Sequence, residues 1–348
     1  VLNTYIQAVV EGETLSREQA RQAMTIVMEG EATPAQIGSF FTALRMRGET
    51  DDELAGFAEV MREKALPVVV DGSRPIVDTC GTGGDGSHSF NVSTTAAFVV
   101  AGAGVRVAKH GNRAMTSKSG SADLLETLGV VIDLSPEQVG ACIEQAGIGF
   151  MFAQKFHPAM RFAAPVRREI GIRTAFNLLG PLTNPAGVRH QVIGVPNPVV
   201  ATKLANVLAL LDREHCLVVH AHEGMDELGV SGPSTIAEMR RGSDVVVREV
   251  EPEQFGLGRH EREAIRGGTP EENVAITRSV LSGQPGARLD ITLLNAGAAL
   301  YAVDAVSSIG DGVAMARESI DSGAAAAKLE ELVRLSQRLA NRNVSVSV

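Results

Sequence analysis

From about residue 67 onward the chain alternates short β-branched runs with helical stretches, and this rhythm limits the possible fold more than any other feature. Residues 75–80, 105–108, 148–152, 191–195 and 217–221 read as strands, with helical spacing over 94–102, 122–128, 136–146 and 201–212 between them. Strand, helix and strand repeated through short links predict an α/β fold around a central, mainly parallel sheet. Further on, 235–239 and 245–250 read as a hairpin-type insertion turning at Arg241-Gly242. Helices then dominate, most regularly over 293–301 and 324–339, and the pattern is lost from about Asn341.

The first 65 residues differ. Ser16 is followed three positions later by Gln19, Thr33 by Gln36 and Thr50 by Glu53, each a capping-box pattern, with Pro34 at a first helical position. Behind them come apolar residues at helical spacing, such as Ile37, Phe40, Phe41 and Leu44. We expect a small helical domain over 1–66, joined by helices around 160–180, and a larger α/β domain over 67–345.

The first predicted strand runs into "DTCGTGGDGSHSFNVSTTAAF". Gly81, Gly83 and Gly86 have the G-x-G-x-x-G spacing of a dinucleotide loop, but that motif also needs a helix opening on the third glycine and an acid about twenty positions later. Here the helix waits for Ser93, and 101–108 reads AGAGVRVA. A phosphate cradle fits better, because glycines let amides approach an anion and a hydroxyl-rich helix start adds donors. No acid occurs between Asp85 and Asp123, whereas Arg106, Lys109, Arg113 and Lys118 do. In a chain of formal charge −9, that window reads as a local anion site. "KHGNRAMTSKSGSAD" follows the second strand, on the same sheet edge. "HEGMDELGVSGPS" offers the adjacent carboxylates Asp226 and Glu227, which suit magnesium beside a polyphosphate. Lys155, Arg161, Arg167, Arg168 and Arg173 face the single acid Glu169, and arginine captures carboxylates bidentately.

In this order, DTCGTGGDG, NVST, KHGNR, SGSADLLETLG, HPAM, VRREIGIRTAFNLLGPLTNP and GMDE resemble the anthranilate phosphoribosyltransferase family along almost the entire chain. The resemblance implies transfer of a 5-phosphoribosyl group from phosphoribosyl pyrophosphate to the amine of anthranilate, with Mg2+, in a homodimer formed through the helical lobe. By motif match, Gly81, Gly84, Asp85, Ser89, Asn91, Val92, Ser93 and Thr94 would line the phosphoribosyl pyrophosphate site. Lys109, His110, Gly111, Asn112, Arg113, Ala114, Met115, Thr116, Ser117 and Ser121 would close over it. Ser93, Asp226 and Glu227 would serve the metal, and Gly81, Asn112 and Arg167 the anthranilate, with His110 and Pro181 near its path. The match implies no covalent nucleophile; Lys109, His110 and Arg167 would act by charge and position. Ser89 stands where many relatives carry threonine, which keeps the hydroxyl.

Two rivals remain. Pyrimidine-nucleoside phosphorylases share the general architecture but carry a lysine–histidine–serine first loop, where this chain has Thr79, Cys80 and Gly81. A non-catalytic nucleic-acid-binding relative would need a basic groove, against which the net charge argues. The longest apolar run, 96–105, is too short to span a bilayer. No basic stretch followed by an apolar one opens the chain, and Cys80, Cys142 and Cys216 are scattered, so the expected compartment is the reducing cytoplasm.

Overall fold

The computed structural model describes residues 2–114 and 118–344. Four helices come first: α1 (Leu2–Val10), α2 (Arg17–Met28), α3 (Pro34–Arg47) and α4 (Asp51–Glu63). All three capping boxes form, each cap accepting the N–H of its third helical residue and receiving that residue's side chain in return. Each such cap is worth about 1 kcal/mol. Glu53 does more than cap: fully buried, it also accepts the Leu15 N–H at 2.8 Å and pairs with Arg47. Phe40, Phe41 and Phe57 fill the centre of this lobe.

The remaining elements are β1 (Ile76–Gly81), α5 (Val92–Gly102), β2 (Arg106–Gly111), α6 (Ser121–Thr127), α7 (Pro136–Ala146) and β3 (Ile148–Phe152). Then come α8 (Ala153–Phe156), α9 (Ala164–Ile170), α10 (Phe176–Leu182), β4 (His190–Gly194), α11 (Pro198–Leu210) and β5 (His215–Ala221). The chain ends with β6 (Ser234–Arg240), β7 (Val246–Val250), α12 (Pro270–Leu281), α13 (Ala287–Ala302), α14 (Ile309–Asp321) and α15 (Ala324–Val344). One seven-stranded sheet runs β3-β2-β1-β4-β5-β6-β7, parallel through β5 and antiparallel over the last two strands. The expected hairpin insertion is therefore corrected: β6 and β7 extend the main sheet. β5 is buried along its whole length, and β6 satisfies the edge it would otherwise leave open.

The sheet separates two apolar cores. Along β5, Leu217 and Val219 face the core built with α5 and α13, whereas Cys216 and Val218 face the core that also holds Phe41, Phe57, Phe176 and Leu204. The helical lobe is thus continuous with one face of the sheet. Phe41 meets the Phe176 ring at 4.3 Å, which joins α3 to α10.

Glu238 on β6 binds this sheet edge together. Its carboxylate accepts from His215 (3.0 Å), Tyr301 (2.8 Å), Arg240 (3.0 Å) and Arg248 (2.7 Å). Burial opposes its charge, but these donors outweigh burial and hold its pKa at about 2. A depressed carboxylate pKa stabilises the fold above the unfolded-state value of 4.5 and loses that effect as pH falls through about 2. Glu238→Gln is expected to melt at lower temperature than the parent near pH 6. Circular-dichroism melts should show that gap closing as pH falls from 4.5 to about 2; a gap independent of pH would contradict the assignment.

Candidate functional site

Strand order reverses between β1 and β4, and the chain leaves these neighbours toward opposite sides, opening a crevice at their carboxyl ends. Gly81 and Gly194 end the two strands as register partners. A Cβ on Gly194 would overlap the Asp226 carbonyl, and one on Gly81 would overlap the Asp226 carboxylate. Two bare backbones side by side thus admit the segment after β5 into the crevice. The Asp226 carboxylate then accepts the Gly83 N–H at 2.8 Å, and Glu227 accepts the Ser93 N–H at 3.1 Å. The paired acids reach both limbs of the glycine loop.

That loop is wound by Gly83, Gly84 and Gly86, with φ near +69°, +68° and +70°. Arg173 holds its outer side, donating to the Gly83 carbonyl (3.0 Å) and the Gly84 carbonyl (3.3 Å). Asp85 accepts the Ser87 N–H (3.2 Å) and the Asp226 N–H (3.3 Å), and the Ser87 hydroxyl reaches Ser89 at 3.3 Å. α5 opens one residue before Ser93, so Val92, Ser93 and Thr94 form its first turn. The Val92 and Thr94 side chains are buried, which leaves their backbone as what they can offer a ligand.

Lys109 lies buried under the loop, donating to the Thr79 carbonyl (2.5 Å) and the Ser93 hydroxyl (3.4 Å). Burial lowers its pKa, while Asp78, Cys80 and Glu227 raise it. Asp78, fully buried in β1, accepts from the His110 N–H (3.2 Å) and the Asn184 amide (2.8 Å). His110 meets His157 at 3.2 Å; burial, with His157 beside it, pushes the His110 pKa down to about 3, so its ring is neutral. The acids behave oppositely. Burial, then Asp85 and Glu227, push Asp226 well above the carboxylate range, and burial lifts Glu227 to about 7 against Lys109 and Ser93. Asp85 remains below its ordinary value because donors from Ser87 and Asp226 outweigh burial. Crowded, mutually repelling carboxylates fit a divalent cation, which would discharge them. Among the described residues no three side chains form a ready-made metal cage. That suits an ion that draws further ligands from water and phosphate oxygens.

The structure brings Gly81, Gly84, Asp85, Ser89, Asn91, Ser93, Lys109, His110, Asp226 and Glu227 to this one edge. From the second loop, Gly111 ends β2, the Ser121 hydroxyl donates to the Asn112 carbonyl at 3.3 Å, and the Ala114 N–H donates to Asp123 at 2.9 Å. The Asn112 side chain accepts from the Arg113 N–H at 2.8 Å. Met115, Thr116 and Ser117 lie outside the described residues. Arg113 points elsewhere, paired with Asp123 (3.0 Å) and Glu126 (2.7 Å) over the Phe152 ring. Arg106 leaves the anion window altogether: it begins β2, at the opposite sheet edge, and pairs with Glu144 at 2.5 Å. Lys155 pairs with Asp133 at 2.6 Å. Arg167, on α9, is half-buried 5.0 Å from the Phe176 ring centre and has no acidic partner among the described residues. Sequence reasoning gave no role to Asp78, Asn184, His157 or Gly194; the first three lie inside the quoted motifs without a chemistry of their own to mark them, and no motif marks Gly194.

Two family models match the chain, "Glycosyl transferase family, helical bundle domain" over residues 3–65 and "Glycosyl transferase family, a/b domain" over 73–326. The chain is 55% identical over 346 residues to the anthranilate phosphoribosyltransferase of Thermomicrobium roseum, covering 99% of both chains. The crystal structure of the Thermus thermophilus anthranilate phosphoribosyltransferase superposes with a TM-score of 0.90 at 45% identity, over 96% of this chain and 99% of that one. The Saccharomyces cerevisiae anthranilate phosphoribosyltransferase, solved in complex with PRPP and Mg, gives 0.88 at 29% identity over 97% and 98%.

If Arg173 fixes the glycine loop from outside, Arg173→Ala should speed amide hydrogen exchange across 83–89 without changing protection of the sheet. Unaltered exchange in those peptides would show that the loop holds its shape without the guanidinium.

Proposed function

The chain belongs to the anthranilate phosphoribosyltransferase family, and from that premise we propose that phosphoribosyl pyrophosphate sits in the glycine loop, with Mg2+ against Asp226 and Glu227. The enzyme transfers the 5-phosphoribosyl group to the amine of anthranilate and releases pyrophosphate, a step of tryptophan biosynthesis. One observation carries the site reading: the two adjacent carboxylates are hydrogen-bonded to different limbs of the same phosphate cradle, at Gly83 and Ser93.

In this reaction the bond from the anomeric carbon to a pyrophosphate oxygen breaks, that oxygen keeps the electron pair, and the anthranilate nitrogen bonds to the carbon and loses a proton. Negative charge grows on the leaving group and positive charge on the ribose. The loop amides and the first turn of α5 face the leaving group, and Lys109 adds a buried positive charge beneath it. A bound Mg2+ would neutralise pyrophosphate oxygens and orient them; Asp226, Glu227 and the Ser93 hydroxyl are the groups available to hold it, directly or through water. Arg167, stacked on Phe176 and without an acidic partner among the described residues, is free to take the anthranilate carboxylate. Neutral His110, beside α10 and its Pro181, adds no charge to the path of the amine. An aromatic amine is already a free base at neutral pH, so aligning the two substrates supplies much of the acceleration, with effective molarities worth roughly 7–11 kcal/mol.

Arg167 belongs to the α9–α10 side and the phosphate loop to the sheet, which supports a division into a helical domain over 1–66, joined by residues around 160–180, and an α/β domain over 67–345. We extend this to closure of the two on ligand binding. A homodimer and a cytoplasmic location complete the proposal, the latter supported by three buried free cysteines. No helix of the described residues is long and apolar enough to cross a membrane. Small molecules, and no nucleic acid, are the proposed partners.

Loss of anthranilate fluorescence in the presence of phosphoribosyl pyrophosphate and Mg2+ tests the whole reading. The pair Asp226→Asn with Glu227→Gln should reduce turnover by at least about a hundredfold, the scale of one lost electrostatic stabiliser, while the fold melts normally. Parental activity in that double variant would remove the metal assignment. Arg167→Ala should raise the anthranilate KM by about tenfold or more, the loss of a charge-assisted hydrogen bond. An unchanged KM would mean the carboxylate docks elsewhere.

A further inference from the structure

The stretch around 253–270 carries no readable role in the sequence, yet the structure lays its end along the phosphate loop. Ser89 bridges Arg266 in antiparallel fashion, the Phe90 N–H donates to the Ile265 carbonyl at 3.2 Å, and the Gly267 N–H donates to the His88 carbonyl at 2.9 Å. Gly267 allows this approach, since a Cβ there would lie 2.6 Å from the Phe90 Cα. The strap then enters α12, whose Asn273 is 2% exposed. Asn273 accepts the Gly268 N–H at 2.8 Å and donates its amide to the Asn91 side-chain oxygen at 2.9 Å.

Asn91 is the cap residue of α5. An asparagine there ordinarily turns its oxygen onto the second or third amide of its own helix. It does not do so here: its side chain makes no capping bond and lies between Asn273 and Ser119, donating to the Ser119 carbonyl at 3.1 Å and accepting a longer bond from the Ser119 hydroxyl at 3.3 Å beside the 2.9 Å bond from Asn273. The first-turn amides of α5 are thereby withheld from self-capping. The Val92 amide already meets the Phe90 carbonyl at 2.7 Å and the Ser93 amide meets Glu227, which, among the described residues, leaves the Thr94 amide open at the helix end that faces the proposed leaving group.

We propose that Asn273 is a positioning residue for phosphoribosyl pyrophosphate. By holding the Asn91 side chain away from its own helix, it keeps the open Thr94 amide at the start of α5 available to the pyrophosphate. Without that donor, the Asn91 oxygen keeps only the longer bond from the Ser119 hydroxyl, and it turns onto the Thr94 amide and competes with the ligand. The inference rests on the functional reading above.

Steady-state kinetics test it. Asn273→Ala is expected to raise the phosphoribosyl pyrophosphate KM about tenfold, with kcat and the anthranilate KM within about twofold, the scale of one lost hydrogen-bonding arrangement. Adding Asn273→Ala to Asn91→Ala should raise that KM no further, because the competing side chain is already gone. Asn273→Asp keeps the shape and the Gly268 acceptor but loses the donor; it carries the same test if the alanine variant fails to fold. An unchanged phosphoribosyl pyrophosphate KM, a loss confined to kcat, or full additivity with Asn91→Ala overturns the proposal. A parent enzyme without turnover would instead overturn the functional reading.

Discussion

The approach of Asp226 to two adjacent strand ends without side chains is the contact on which the site depends. Gly81 and Gly194 face one another across β1 and β4, and both surrender the space that a Cβ would take. That space lets a carboxylate from the loop after β5 descend to the Gly83 amide, and it places the next residue against Ser93. Three segments far apart in the chain converge at a point where the sheet topology already opens a crevice. The glycines matter here for close approach; the left-handed backbone belongs to Gly83, Gly84 and Gly86 in the loop itself.

Around this contact the charges are arranged in layers. Lys109 and Asp78 are buried beneath the loop, each moderating the other's loss of water. Above them Asp226 and Glu227 resist ionisation chiefly because they are buried, with the neighbouring Asp85 charge adding to the effect. The loop amides and the start of α5 oppose those acids with fixed partial positive charge. Arg173 and the strap ending at Asn273 work from outside, one on the loop carbonyls and the other on the cap of α5.

The fold has the same economy of shared surfaces. Alternate residues of β5 serve two cores, and one of those cores continues into the N-terminal helices through Phe176 and Phe41. The lobe bearing Arg167 and the sheet bearing the glycine loop are therefore packed through one shared core.

Local chemistry was readable directly. Capping boxes at Ser16, Thr33 and Thr50, the β-branched runs, the glycine loop and the Asp226–Glu227 couple are encoded by neighbours in sequence, since caps and turns are satisfied within a few residues. Their assembly was not readable this way. Arg106 and Arg113 looked equivalent to Lys109 in an acid-free window, but strand direction sends Arg106 to the far edge and Asp123 and Glu126 claim Arg113. The hairpin after β5 gave no sign that it would extend the sheet, because pairing partners are chosen by burial of an edge rather than by local pattern. Gly194, Arg173 and Asn273 acquire their roles only from atoms brought close by folding. The sequence alone determined which elements form and which chemical groups are available; tertiary structure decided which groups meet, because hydrogen bonds and close approaches depend on distance in space and not on separation along the chain.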